Sequence, residues 1–230
     1  MTCATDSHDI ETFERLLAAR FSCRAFRPDP VPRAVIARIL GAAQKTASWC
    51  NSQPWQVAVL SGEARRGLAE TLSKAASENT PVAPDFPFPR EYRGVYLERR
   101  RESGFQLYNT LGIARGDKAG YKAQMLENFR FFGAPHVAIV TTDEALGVYG
   151  AVDCGGYVGN FMLAARALGI ATVPQAAPAG YASMIRAHLG VGDDRRVVCA
   201  ISFGYADDSH LANGYRTTRA AVEDAVTFLD

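Results

Sequence analysis

Three side chains near the amino end have the types and spacing to bind an anion. Arg20, Ser22 and Arg24 alternate along the run Arg20-Phe21-Ser22-Cys23-Arg24-Ala25-Phe26, and in an extended chain alternate residues share one side. Two guanidiniums and a hydroxyl converging this way form a clamp for a phosphate monoester, because a guanidinium offers planar bidentate hydrogen bonds. The same residues also fit an exposed strand edge kept soluble by its arginines. A second group follows in Asn51-Ser52-Gln53-Pro54-Trp55. Carboxamides present donor and acceptor together, which suits a heterocycle with alternating C=O and N–H groups. A polar turn fixed by Pro54, with Trp55 as a core anchor, accounts for those residues equally well.

Other routes to chemistry are missing from the sequence. His8, His136, His188 and His210 lie far apart, with no HExxH or Cys/His spacing for zinc or iron, so each reads as a surface or core histidine and no metal is expected. There is no GxSxG elbow, no phosphate-binding GxxxxGK[ST] loop and no GxGxxG after a strand; Gly155, Gly156 and Gly159 fall inside a long helical segment with the wrong spacing. Cys50 stands beside the carboxamides with no histidine near it in sequence to activate it, which argues against a thiol nucleophile. Arg99-Arg100-Arg101 is flanked by Glu98 and Glu102 and reads as a solvated helix face rather than a nucleic-acid patch. An enzyme of this composition draws its hard chemistry from a cofactor held by other means.

The elements that must position these groups are legible from periodicity. Apolar residues at helical spacing mark helices over residues 10–20, 35–43, 91–102, 151–168 and 181–189, a polar, alanine-rich run reads as a helix over 63–77, and valine-rich or continuous apolar runs mark strands over 56–60, 135–141 and 197–203, with a short apolar piece at 170–173. Residues 107–123 are interrupted by Gly112, Gly116 and Gly120 and stay ambiguous. Pro81, Pro84, Pro87 and Pro89, interleaved with Phe86 and Phe88, make a loop whose aromatics suggest that it covers something. The chain has 230 residues, 25 basic against 24 acidic side chains, and 48% hydrophobic composition. A net charge of +1 argues against a global nucleic-acid surface. No stretch approaches the ~20 apolar residues of a membrane span, and the acidic start gives no secretory signal. Five cysteines, Cys3, Cys23, Cys50, Cys154 and Cys199, contain no CxxC pair and read as reduced thiols of a cytoplasmic protein. One α+β domain over residues 1–230 is the economical organisation.

Six pieces in order carry a family resemblance. They are Arg20 to Phe26 as quoted above, Asn51-Ser52-Gln53-Pro54-Trp55, Phe132-Gly133-Ala134-Pro135, the helix from Gly159 to Gly169, Val173-Pro174-Gln175-Ala176, and Asn213-Gly214-Tyr215-Arg216-Thr217-Thr218-Arg219. With these pieces the chain resembles the nitroreductase family of FMN-dependent, NAD(P)H-using oxidoreductases, most closely its nitrobenzoate reductase branch. The resemblance implies a three-layer α/β/α fold with a central mixed, mostly antiparallel sheet. It implies a homodimer with active sites at the interface and a C-terminal arm, residues 205–230, extending over the partner subunit.

It further implies that Arg20, Ser22 and Arg219 hold the FMN phosphate and that Arg24 reaches the ribityl chain or the N1/C2 carbonyl edge. Phe21 stands in this cofactor stretch where many relatives carry a cation. Asn51 and Gln53, with Ser48 nearby, come from the other subunit. The turn Pro174-Gln175-Ala176-Ala177 aims a backbone N–H at flavin N5, with no catalytic side chain required. Hydride would pass from NAD(P)H to the flavin and on to a nitroaromatic acceptor in ping-pong fashion, with Phe86, Phe88 and Tyr92 as the wall of the acceptor pocket. Relatives in the same family reduce enones or free flavin or remove halogens, and a non-catalytic FMN-binding protein is the reading from another class.

Overall fold

A computed structural model of the chain describes residues 7–229; Cys3 and most of the acidic start lie outside the described residues. Its elements in chain order are α1 (Ser7–Ala19), α2 (Arg33–Ala43), β1 (Gln56–Ser61), α3 (Gly62–Ser77), α4 (Gly94–Thr110), α5 (Lys118–Leu126), β2 (His136–Asp143), α6 (Gly147–Ala167), β3 (Ala171–Gln175), α7 (Ala182–Leu189) and β4 (Arg195–Gly204). The four strands form one sheet in the order β1-β2-β4-β3, each neighbouring pair antiparallel. Among the described residues, parallel pairing is confined to an isolated bridge between Ser22 and Thr172, which lays the arginine run along the outer side of β3.

β2 explains why the sheet has three layers. Its side chains alternate between faces, and both faces are covered. Val137 and Ile139 join Leu68 and Leu72 of α3 and Ile185 of α7 in one core. Ala138 and Val140 join Ile39 of α2 and Tyr157 and Phe161 of α6 in the other. A strand buried on both sides must be apolar at every position, hence the unbroken run that marks it in the sequence. Helix α6 is equally explicable, because it buries Cys154, Tyr157, Val158, Phe161 and Ala165 against the sheet. It stops at Gly169, whose φ of +75° lets the chain reverse into β3.

Two segments depart from the expected boundaries. The helix anticipated over 91–102 begins at Gly94 and continues to Thr110, and the ambiguous stretch after it resolves into a turn and α5, capped by the Asp117 carboxylate accepting from the Gly120 N–H at 2.9 Å. The reason is burial: α4 contributes no buried residue, so no apolar stripe marked its limits.

Candidate functional site

Helix α1 ends where the Arg20 N–H closes on the Leu16 carbonyl, and the chain then runs extended beside β3. The Cys23 N–H donates to the Thr172 carbonyl at 3.0 Å, and Cys23 and Phe26 turn inward onto Phe132, Ala134 and Val173. Arg20, Ser22 and Arg24 all line a pocket of about 330 Å³. Phe21 lines it as well.

The opposite wall comes from the far end of the chain. Asn213 is buried and acts as the stitch: its Oδ1 accepts the Arg24 N–H at 2.8 Å, and its Nδ2 donates to the Ala25 carbonyl at 2.8 Å and the Asp207 carbonyl at 2.9 Å. From α4, Gln106 donates to the Arg216 carbonyl at 2.9 Å. These bonds bring Tyr215, Arg216, Thr217 and Arg219 over Arg20 and Arg24. Arg216 donates to the carbonyls of Asn213 and Tyr215 and rests its guanidinium 3.8 Å from the Phe21 ring centroid. Arg219 donates to Thr217 Oγ1 at 2.9 Å and to the Thr218 carbonyl at 2.7 Å.

Four guanidiniums thus line one pocket, and among the described residues none of them has a carboxylate within salt-bridge distance. Burial, and then the charge of Arg219, hold the Arg20 pKa below its ordinary value. Like charges gathered without a counterion are unfavourable unless something anionic completes the set. A phosphate dianion has the charge and the acceptor oxygens to do so. A larger cavity of about 880 Å³ lies between α4 and the arm, but Glu98, Glu102 and Asp224 share its lining and make it a poor anion site.

Along β3, Thr172 lies beside Ser22 and Ala176 follows four residues later, roughly 13 Å further at 3.3 Å per residue. The Gln175 side chain is spent internally: Nε2 donates to the Asn128 carbonyl at 2.8 Å, and Oε1 accepts from the buried Ser202 hydroxyl. Ala176 is exposed, and its N–H has no partner among the described residues. Pro174 has no N–H, and Ala177 opens the turn Ala177–Tyr181. What this stretch offers a ligand is main chain at Ala176, followed by the small side chain of Ala177.

The carboxamide group sits elsewhere. Cys50, Asn51 and Gln53 have φ of 51°, 55° and 47°, left-handed conformations that non-glycine residues rarely hold without reason. They are braced by the Gln53 N–H donating to Ser48 Oγ at 2.9 Å, by Gln53 Nε2 donating to Asn51 Oδ1 at 3.2 Å, and by the Trp49 N–H donating to Asp153 Oδ2 at 3.1 Å. Trp55 is the core anchor, packed on Tyr157 with Nε1 donating to Gln44 Oε1, while Asn51 and Gln53 stay exposed. This loop leads into β1. Three strand spacings, about 14 Å, separate β1 from β3 across the sheet, and none of Ser48, Asn51 and Gln53 lines the arginine pocket. Within one chain the two groups do not meet.

The proline-rich loop is anchored at Asp85, whose buried carboxylate accepts from Arg186 at 2.5 Å, from Arg196 at 3.4 Å and from the Val197 N–H at 2.7 Å. The Ala83 N–H donates to the Gly180 carbonyl at 2.8 Å. A side chain at position 180 would press on Val82 and meet Phe88, so Gly180 permits the loop to pack on the turn that follows Ala176. Phe86 is half-buried, Phe88 and Tyr92 are exposed, and Arg100 lies 5.1 Å from the Tyr92 ring centroid. None of the three aromatics lines the arginine pocket.

Sequence reasoning missed Tyr215, Arg216, Asn213 and Asp85. A second arginine three residues before Arg219 was the available signal for Arg216; the others depend on contacts more than 100 residues apart in sequence.

A model described as the nitroreductase family matches residues 17–205. Nitroreductase NfnB of Mycolicibacterium smegmatis is 43% identical over 94% of this chain and 92% of its own length. The chain belongs to the nitroreductase family. A 4-nitrobenzoate reductase of Pseudomonas putida is 34% identical over 95% of this chain and 96% of its own. Among solved structures, the FMN-dependent nitroreductase NfnB from Mycobacterium smegmatis in complex with NADPH superposes with a TM-score of 0.91 at 41% identity, covering 96% of this chain and 99% of that one. The family fold is thus this chain's fold, an α+β arrangement of a central antiparallel sheet between helical layers. Among the described residues no helix is long and apolar enough to cross a membrane.

Proposed function

We propose that this chain is an FMN-dependent oxidoreductase that takes hydride from NAD(P)H and reduces nitroaromatic acceptors, in the cytoplasm and as a homodimer whose sites are each completed by the partner subunit. The observation that carries the reading is the pocket of four uncompensated guanidiniums, set one strand length from the free Ala176 N–H. It agrees with relatives named as nitroreductases and 4-nitrobenzoate reductases and with a structural neighbour described as FMN- and NADPH-dependent.

Arg20, Ser22, Arg216 and Arg219 hold the phosphate, and Arg24 lies toward the ribityl chain and the N1/C2 edge, where a fixed cation favours the charge that reduction places there. FMN bound there would supply two-electron chemistry between NAD(P)H and the acceptor, in ping-pong order. The Ala176 N–H would donate to N5, and the side chains of Ala176 and Ala177 in the Pro174-Gln175-Ala176-Ala177 turn are methyl groups. Phe86, Phe88 and Tyr92, on a loop stitched to the turn after Ala176, wall the acceptor pocket.

Three groups of exposed apolar side chains support the dimer: Ile10, Phe13 and Leu17 on α1, Val148, Tyr149 and Val152 on α6, and Val222, Val226, Phe228 and Leu229 on the arm, where Phe228 is 83% and Leu229 92% exposed. Surfaces of that kind call for cover, and a second copy with its arm laid across supplies it. The partner's loop can then bring carboxamides to a flavin that this chain's own loop, across the sheet, does not reach. The four described cysteines are all free, which suits a reducing compartment.

The test is anaerobic. The protein purified with FMN should be yellow, bleach on addition of NADPH or NADH, and regain colour when a nitrobenzoate is added. Flavin that binds but is not bleached would indicate a store or sensor, and a protein that takes up no FMN would overturn the reading.

A further inference from the structure

Arg24 differs from the other three arginines of the pocket in how it is held. Arg216 and Arg219 bond to backbone or hydroxyl groups within their own arm. Arg24 Nη1 donates to the neighbouring Ser22 carbonyl at 3.2 Å and to one side chain, the Tyr215 hydroxyl, at 3.0 Å. Tyr215 lines the pocket and arrives from nearly the other end of the chain. We propose that Tyr215 is a positioning residue that fixes the Arg24 guanidinium over the cofactor pocket and thereby makes docking of the C-terminal arm part of cofactor binding. This rests on the reading that FMN occupies the pocket.

The physical case is the choice of partner. A guanidinium among three like charges is driven outward to solvent unless something holds it. A carboxylate would hold it strongly but cancel the charge that makes it useful to an anionic ligand. A phenol hydroxyl accepts the hydrogen bond and leaves the charge intact. Its own proton has no acceptor among the described residues, so the hydroxyl's one side-chain bond is the one it accepts from Arg24. Burial raises the Tyr215 pKa, against the pull of Arg24, which keeps that proton in place at neutral pH. Asn213, two residues earlier, fixes the Arg24 backbone; together the two residues set both ends of the arginine.

The test is a double-mutant cycle on FMN affinity, read by flavin fluorescence quenching in apo-protein, with the midpoint potential of the bound flavin as a second readout. Tyr215→Phe keeps the ring and is expected to weaken FMN binding about tenfold; Arg24→Ala is expected to weaken it more. The double variant should bind within about twofold of Arg24→Ala, because the hydroxyl acts through the arginine. Tyr215→Phe should also lower the flavin potential, in the direction of Arg24→Ala and by less. Tyr215→Glu should bind FMN more weakly than Tyr215→Phe while leaving apo-protein at least as heat-stable as wild type. A full Tyr215→Phe effect persisting in the Arg24→Ala background, or an unshifted potential, overturns the positioning role. Wild-type protein that fails to bind FMN overturns the proposed function and this inference with it, a result distinct from independent effects in a protein that does bind.

Discussion

The two edges of the sheet bear residue groups of opposite physical character. At the β3 edge the chain gathers charge: four arginines that, among the described residues, have no carboxylate within salt-bridge distance, held by main-chain carbonyls, a buried asparagine and a phenol. At the β1 edge it gathers neutral carboxamides and places the strain in the backbone, with three non-glycine residues in left-handed conformations. The arginines want an anion, and the braced loop keeps Asn51 and Gln53 exposed although their side chains bond to each other and Gln53 Oε1 also accepts from Gln44. Both therefore read as surfaces prepared for something that arrives, with the sheet between them as the rigid spacer.

If that contrast is right, the largest effect belongs to the charged half. Arg20→Ala removes charged hydrogen bonds worth about 1.5–3 kcal/mol, so FMN affinity should fall roughly 10- to 150-fold. Thermal stability of the apo-protein should hold or rise, because a like-charge repulsion goes with it. A variant that loses heat stability in step with FMN would show that Arg20 supports the fold instead.

The neutral half should respond more weakly and with a different signature. Gln53→Gly relieves about 1–2 kcal/mol of left-handed strain against about 0.4–1 kcal/mol of added freedom in the unfolded chain. Stability is expected to stay level or rise slightly while FMN affinity drops about two- to tenfold, the scale of neutral hydrogen bonds. Calorimetry and flavin titration on the same sample check this, and a clear loss of stability would count against functional strain.

Cofactor-dependent docking of the arm gives a third measure. Trypsin should cut after Arg216 and Arg219 several-fold faster in apo-protein than in protein saturated with FMN. Equal rates would mean that the arm is held independently of the anion.

The scaffold between the halves supplies the smallest and most general effect. His136, at the start of β2, accepts the Val31 N–H at Nε2 (2.9 Å) and so carries its proton at Nδ1, facing the Ser61 hydroxyl. Burial, and secondarily Arg65, hold its pKa below 6.5. The unfolded chain takes up a proton near pH 6.5 that the folded chain resists, so stability is complete above that pH. It declines as the pH falls below it, by up to about 1.4 kcal/mol per unit. Thermal midpoints measured between pH 7 and 5 should drop more steeply in wild type than in His136→Gln.

The same contrast explains what the sequence disclosed. β2 was legible because burial on both sheet faces demands apolar residues throughout, and α6 because the side it packs on the sheet repeats apolar residues at helical spacing. Arg20, Ser22 and Arg24 were legible because alternation in an extended run needs no tertiary knowledge. Asn213, Tyr215 and Asp85 were not, since each acquires its place through bonds to residues far away in sequence. The strain at Cys50, Asn51 and Gln53 carried no glycine to announce it. Gln175 read as part of the cofactor turn, and only the fold reveals that its carboxamide is consumed by Asn128 and Ser202.

Mixed dimers test the central claim most directly. One chain carries Arg20→Ala, the other Asn51→Ala with Gln53→Ala, and heterodimers are isolated by two different tags and titrated with FMN. If each site combines the arginine pocket of one chain with the loop of the other, one site per heterodimer is wholly wild type and binds FMN with wild-type affinity at half the normal stoichiometry. If no site in the heterodimer recovers wild-type affinity, the two half-sites do not serve a shared interface and the account is wrong.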